Sequence, residues 1–475
     1  MHATPIFAAI AIPLIVHAAH AQTRDTLTLD LPTAIARALR SSDESRLADL
    51  GVDLARSRVA SERSAILPQI TLNSSYSQVV RNARAEIVGN VFGQSYNYSA
   101  SLTVSQALFQ GGRELYALRA ASRTLGAARA DAEETRSMLQ VDVQRAYLGT
   151  LLAARIAGIQ EGGLALARDR LAQVEQLAAG GRAARYDVLR ARVEVANIEP
   201  VVLQARSERT LAELDLRRLL NIPLDQPLRL TTDLDAQSVQ AIVTTVAAAA
   251  PQDIADRAAV RGAELAYRAR RDAVGAARSE FLPTISVFLR TGYLALPGAP
   301  GIPTGVGRTS TAFCAPGSPE GRACQNDGWF RDESFGVQVS WPLFNGLRSK
   351  SELDLATAQA YVAELQWRLQ IEQVNLEVGR ARAEFERARA SFDAQRTNAG
   401  EATETFQLAS LRFTRGVGTQ LEVSDAQLAL LTAQSNEARA VYEVHLAAAE
   451  LARALGRPVP VPVAAGAPRT SSFQP

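Results

Sequence analysis

Polar and apolar residues alternate with a period of two in four stretches of this chain, and follow helical periods over most of the remainder. Tyr96, Tyr98, Ala100, Leu102 and Val104 fall on one side of an extended chain, with Ser95, Asn97, Ser99, Ser101, Thr103 and Ser105 on the other. That is the signature of a strand with two unlike faces. Phe335, Val337, Val339 and Trp341 against Gly336, Gln338 and Ser340 repeat it, and Ile70, Leu72 and Tyr76, then Ile285, Val287, Leu289 and Tyr293, complete a set of four. Ala/Arg/Glu-rich helical stretches, residues 32–66 and 251–281, lead into the strands and stop at Leu67-Pro68 and Leu282-Pro283. Proline ends them because it lacks a backbone donor and biases its predecessor toward extended geometry. After each strand pair comes a proline-free run, Gly112 to Ala179 and Gly346 to Arg415. At ~1.5 Å rise per residue each run makes a rod of roughly 100 Å, longer than a compact domain uses. Leu139, Val143 and Ala146 mark one apolar line on the first rod, and Leu148, Leu152, Ile156 and Ile159 a second. Helices standing side by side in a tube need two such flanks; on the helices alone a long coiled coil is the alternative. Pro200 predicts a kink or short break in the helix after the first rod.

These elements occur twice. Val104-Ser105-Gln106-Ala107-Leu108-Phe109-Gln110-Gly111-Gly112-Arg113 returns as Val339-Ser340-Trp341-Pro342-Leu343-Phe344-Asn345-Gly346-Leu347-Arg348, an offset of 235 (104 to 339). The same register sets Gly181 on Gly416, Tyr186-Asp187-Val188 on Leu421-Glu422-Val423, and Leu220-Asn221-Ile222-Pro223 on Leu455-Gly456-Arg457-Pro458. Upstream, Leu67-Pro68 meets Leu282-Pro283 at an offset of 215 (67 to 282), so the second copy carries extra length in the loop from Pro297 to Trp329. A long-period repeat makes one supersecondary unit the building block. The chain divides into a leader at 1–21, a first helix–strand–strand–helix unit at 22–223, a partly structured linker at 224–250, a second unit at 251–458, and a Pro/Ala/Ser-rich disordered tail at 459–475.

The 475 residues carry a net charge of +2 with no basic stripe, which argues against nucleic acid as a partner. The apolar stretch from Ile6 to Val16, ending in Ala19-His20-Ala21, reads as a secretory leader with Gln22 as the mature terminus. No cysteine near the cut supports a lipid anchor. No later run of about twenty apolar residues exists to span a bilayer as a helix, so any crossing uses strands closed into a barrel. Four strands of roughly ten residues suit a tilted bilayer strand, but closed membrane barrels need about eight or more. If the strands face lipid, three chains together supply twelve. His445 is the single histidine outside the leader, and no nucleophile elbow, phosphate loop or paired-ligand motif occurs. The chain therefore reads as a non-enzyme without cofactor or metal.

The repeated order helix, Leu-Pro, strand, strand, Leu-Phe-x-Gly, long helix, Gly break, helix resembles the TolC-like outer-membrane efflux family. The resemblance covers residues 26–458. It rests on Leu67-Pro68 with Leu282-Pro283, on Leu108-Phe109-x-Gly111 with Leu343-Phe344-x-Gly346, and on Arg412-Phe413-x-x-Gly416 ahead of Val423-x-Asp425-Ala426. It implies a mainly α fold with a β-barrel portion: tandem-duplicated long antiparallel helices form a periplasmic α-barrel, and four strands per protomer enter a trimeric 12-stranded outer-membrane β-barrel. The implied partners are two further copies of the chain, outer-membrane lipid, a periplasmic adaptor, and a proton-driven or ATP-driven inner-membrane pump. The implied function is a passive exit duct for small molecules; protein secretion with an ATP-driven partner is the alternative within transport, and a coiled-coil surface protein or adhesin the alternative outside it. By the same resemblance Gly181, Arg182, Gly416, Val417 and Thr419 are expected to dock the adaptor, and Asp187, Glu422, Asp425 and Phe413 to surround the periplasmic entrance. Glu422 and Asp425, three apart, share a helix face. Relatives lock the entrance with an Arg and a Tyr where this chain has Gly418 and Phe413, leaving Arg412, Arg415 or Arg185 as substitutes. Cys314 and Cys324 are expected to form a disulfide in the extra loop of the second copy, as an oxidising compartment allows.

Overall fold

A computed structural model describes residues 26–81, 96–232, 234–247, 253–297, 301–306 and 328–460. The leader, Cys314, Cys324 and the tail from residue 461 lie outside the described residues. Helices α1 (Leu31–Ser41) and α2 (Asp43–Ser64) precede strands β2 (Gln69–Gln78) and β3 (Tyr96–Gln110). The rod α3 (Arg113–Ala179) and its return helix α4 (Arg185–Leu219) complete the first copy. The second copy runs α6 (Ala258–Arg278), β5 (Thr284–Ala295), β7 (Gly328–Ser340), α7 (Arg348–Thr414) and α8 (Gln420–Ala454). Between the copies, β4 (Leu228–Leu230) pairs in parallel with β1 (Leu27–Leu29), and α5 (Ala236–Ala247) follows. In the extra loop of the second copy, β6 (Gly305–Val306) lies parallel to Gly328–Trp329.

Three local expectations are corrected. The stretch 32–66 is not one helix: Ser42 is extended (φ −70°, ψ 150°) and its hydroxyl caps α2 by accepting from the Ser45 N–H. Asp43 and Glu44 then stand in the first turn, where carboxylates favour the helix dipole. Of the kink or short break expected at Pro200, the break is absent, since α4 is continuous through it. The tail is ordered at its start, where Val459 packs on Val141 and Ala449, and the Gln144 side chain donates to the Pro460 carbonyl at 3.4 Å.

The helices lie side by side in one curtain. In the half nearer the sheet the order is α2, α3, α6, α7, and in the half farther away it is α4, α3, α8, α7. The two rods thus run the whole length, and α6 gives way to α8 between them. A buried charge cluster marks this join. The Arg257 guanidinium reaches Glu134 of α3 at 2.8 Å and Glu377 of α7 at 2.6 Å, while Arg453 of α8 pairs with both carboxylates. Apolar packing girdles the same level. Leu31, Ile35, Leu139, Val143, Tyr147 and Leu216 form one core, and Val239, Ile242, Phe385, Phe392, Val444 and Leu451 another. Tyr147 ties β1 to the linker there, its hydroxyl donating to the Leu29 carbonyl at 2.9 Å and accepting from the Thr232 N–H at 3.3 Å.

The strands form an antiparallel sheet in the order β2, β3, β5, β7. Register keeps its two faces distinct. Ile70, Val104, Leu289 and Phe335 stand abreast on one face, and Thr71, Thr103, Arg290 and Ser334 on the other. A bulge between Ala107 and Phe109 adjusts β3 just before the rod begins. At the far end of the sheet Tyr76 and Tyr98 meet at 4.8 Å between ring centroids, with Trp329 at 6.4 Å from Tyr98. At the helix end Trp341 donates to the Phe281 carbonyl at 3.1 Å, with Leu343 and Phe344 exposed close by in sequence.

Candidate functional site

Each rod turns back through the same motif. Gly181 and Gly416 take left-handed conformations, φ +72° and +74°. The Arg182 N–H donates to the Leu177 carbonyl at 2.8 Å, and the Val417 N–H to the Arg412 carbonyl at 3.0 Å. These bonds satisfy orphan carbonyls at the rod ends, and glycine is favoured because a Cβ disfavours that backbone. The return helices are capped differently. In α4 the Ala184 N–H donates to the Asp187 carboxylate at 3.1 Å, whereas in α8 the Glu422 N–H donates to the Thr419 hydroxyl at 3.3 Å.

The structure sorts the expected site residues by what they touch. Gly181, Arg182, Gly416 and Val417 lie exposed at the hairpin ends, and Thr419, also exposed, caps α8. Phe413 is half-buried against Ala409, Val423 and Ala426, inside the seam of its own hairpin. Asp187 is likewise half-buried and engaged as a cap. Glu422 pairs across its hairpin with Arg412 at 3.5 Å, and Arg412 also reaches the Val417 carbonyl at 3.5 Å. Asp425 is exposed and lines an open groove with Arg190, Asn197, Leu428 and Thr432 between α4 and α8. Of the possible substitutes for a lock, Arg412 is thus used within one hairpin. The two flank Val417 at equal distance in sequence, a signal that could have disclosed the pair.

A polar seam above the tips was not foreseen. The Ser424 hydroxyl of α8 donates to Glu194 of α4 at 2.8 Å, and Glu194 stands 3.9 Å from the buried Arg170 of α3. Burial lowers the Arg170 pKa, and Glu194 opposes that shift. One turn on, the fully buried Gln427 donates to the Gly163 carbonyl at 3.0 Å, and its own carbonyl oxygen has no partner. The Ser424 and Gln427 contacts join the α3–α4 hairpin to α8, and the Glu194–Arg170 approach lies within that hairpin. No periodicity announces them, because each partner lies more than twenty residues away in sequence.

Among the described residues no group of three or more His, Cys, Asp or Glu is placed to hold a metal, and no helix is long and apolar enough to cross a membrane. The model of the outer membrane efflux protein family matches residues 34–221 and 250–457, one match to each copy of the repeat.

The chain belongs to the outer membrane efflux protein family.

Relatives agree. The toluene efflux pump outer membrane protein TtgF of Pseudomonas putida is 27% identical over 410 residues, covering 84% of this chain and 77% of that one. The outer membrane protein OprJ of Pseudomonas aeruginosa is 26% identical over 333 residues, or 68% and 62% of the two chains. Solved structures share the fold. The outer membrane protein VceC of Vibrio cholerae superposes with a TM-score of 0.69 at 19% identity over 90% of this chain and 96% of that one. The outer-membrane channel OprN gives 0.69 at 20% identity, over 90% and 89%. This efflux-family chain is therefore an outer-membrane channel component, with an α-barrel portion extending into the periplasm and a β-barrel portion in the membrane. The strand face carrying Ile70, Val104, Leu289 and Phe335 is the one suited to lipid.

Proposed function

We propose that three copies of this chain close into one continuous duct, and that the duct is a passive exit for small apolar or amphiphilic molecules. The observation that carries the reading is a pair of open edges at both levels of the molecule. In the sheet, among the described residues, β2 and β7 each lack a neighbour on one side, apart from the two-residue β6 at one end of β7. In the curtain, α2 exposes Leu47, Leu50 and Leu54, and α7 exposes Tyr361, Val362, Leu365 and Leu369. Open strand edges and wide apolar helix flanks are both unfavourable alone. A threefold ring mates β7 with the next β2 and α7 with the next α2, closing both with a single operation. The sequence carries no phosphate-loop motif, and in this reading a periplasmic adaptor docking at the hairpin ends around Gly181, Arg182, Gly416, Val417 and Thr419, and an inner-membrane pump behind it, supply the drive. Similar proteins are named as outer membrane proteins of toluene, solvent and antibiotic efflux pumps, which supports cargo of that kind.

The entrance reading places Glu422 and Asp425, with Asp187 and Phe413 behind them, at the narrowest point, where threefold symmetry makes each carboxylate a ring that attracts cations. Replacing both Glu422 and Asp425 by alanine should raise single-channel conductance and reduce cation preference in planar bilayers. Unchanged conductance and selectivity would exclude these residues from the constriction. A purified protein that stays monomeric and forms no pore would defeat the duct itself.

A further inference from the structure

The lipid-suited face of the sheet is interrupted at one place. Across the row Leu72, Leu102, Thr291, Glu333 and the next, Ser74, Ala100, Tyr293, Arg331, the strands of the first copy present no charge, but β5 and β7 present an ion pair. Arg331 and Glu333 bind each other with their side chains 65% and 51% exposed, and the Thr291 hydroxyl donates to Glu333 at 3.2 Å. The depth matters. From Ile285 to Ala295 the wall rises about 25 Å at ordinary strand rise and tilt, the height of a full apolar band. Thr291 and Glu333 then lie about 10 Å inside the aromatic row of Tyr76, Tyr98 and Trp329. Ionic groups facing hydrocarbon at that depth are unfavourable unless polar partners reach them. Arg331 stands two residues nearer the aromatic row, about 5 Å inside it, and its long side chain reaches back to the headgroup level, so the membrane can bring one.

The end of the sheet away from the helices faces the outer leaflet. A guanidinium there matches phosphate, with which it forms paired charged hydrogen bonds. Glu333, however, repels a bare phosphate, and needs a donor beside it; sugar hydroxyls and amides are such donors. Tyr293 adds a phenol in the adjoining row, and Tyr98 and Trp329 add flat apolar faces. We propose that Arg331, Glu333, Thr291 and Tyr293 form a site on the outside of the wall for the phosphorylated sugar headgroup of an outer-leaflet glycolipid. The site rests on the reading of this sheet face as the lipid-facing one and is independent of what the duct carries.

The test uses the full-length protein in nanodiscs of zwitterionic lipid, with native mass spectrometry scoring retention of three probes: a diphosphorylated acyl-glucosamine disaccharide, its dephosphorylated form, and phosphatidylglycerol. The diphosphorylated glycolipid should be held at least about tenfold better than either other lipid, as a charged hydrogen-bonded contact allows. Arg331→Gln should abolish the preference, Arg331→Lys should restore part of it, and Arg290→Gln, on the opposite face of the same strands, should leave it intact. Equal retention of phosphatidylglycerol, or an undiminished preference in Arg331→Gln, overturns the proposal. Each protein is also tested for pores in planar bilayers: intact pores without the preference sink only the lipid site, whereas a wild-type protein without pores sinks the reading of the wall as well.

Discussion

Gly163 meets Leu431 across the α3–α8 seam so closely that a Cβ there would sit 2.6 Å from the Leu431 Cδ1, whereas Gly162 faces open space. Two neighbouring glycines therefore answer alanine in opposite directions. Gly162→Ala should stabilise by ~0.5–1 kcal/mol through helix propensity, and Gly163→Ala should destabilise by ~1–3 kcal/mol through overpacking. Thermal unfolding followed by circular dichroism decides this, and Leu431→Ala should recover part of the loss if the clash is the cause. His445 makes a different kind of prediction. Its Nε2 bonds the Ser238 hydroxyl at 2.8 Å, its Nδ1 has no partner, and burial lowers its pKa to about 4 against a weaker opposing pull from Asp235. The folded state thus binds fewer protons than the unfolded one, whose histidine titrates near 6.5. Stability contributed by the neutral ring is complete above about pH 6.5 and falls as pH drops toward 4, by up to ~3 kcal/mol. In His445→Asn the slope of stability with pH between those values should flatten; an unchanged slope would assign it to other groups.

At the scale of elements, the join where α6 gives way to α8 is held by the buried Arg257 and three half-buried charges, Glu134, Glu377 and Arg453, from four parts of the chain. Burial works against ionising Arg257, Arg453 and Glu377, yet their mutual contacts outweigh it, raising both guanidinium pKa values and lowering the Glu377 carboxyl below its usual 4.5. Arg257→Met should cost ~1–3 kcal/mol because it leaves two half-buried carboxylates with half their partners, measured as a shift of the denaturant midpoint. Replacing Glu134 and Glu377 by Gln together with Arg257→Met should cost less than the single change. None of this join was legible beforehand, since no local pattern in the sequence links Glu134, Arg257, Glu377 and Arg453. What was legible is local or repeated: strands whose alternation survives as sheet faces, rods without proline, and turns at Gly181 and Gly416 whose 235-residue spacing, 181 to 416, reflects one ancestral hairpin. The break at Ser42 was missed although Ser42-Asp43-Glu44 is an N-terminal signal, because the apolar positions on either side read as one helix. Pro200 misled for the opposite reason: a single missing donor on an exposed stretch of α4 did not end the helix.

For the whole molecule, the sheet's two faces become the inside and outside of a wall, and the register leaves no middle choice because a one-residue slip exchanges them. Leu102 and Ser101 are neighbours on the inner strand β3 with opposite facing. Leu102→Arg should cost ~2–4 kcal/mol as a charge presented to lipid near mid-depth, while Ser101→Arg should be tolerated and alter only conductance. Folding yield into lipid vesicles, read from heat-modifiable migration on gels, separates the two, and equal yields would refute the assignment of faces. The long curtain is not uniform along its axis either. Near the join, α3 and α8 meet through Val141, Leu446 and Ala449, covered by Val459 from the segment after α8, oily contacts that water cannot imitate. Lower down, Leu431 of α8 packs on Gly163 of α3, Gln427 bonds the carbonyl of that glycine and Ser424 bonds Glu194 of α4, and water can replace the lost partners of the two polar bonds at little cost. On the proposed three-chain duct, α8 would part from the α3–α4 hairpin at this partly polar level before the oily level above it yields, so the bore would widen from its periplasmic end.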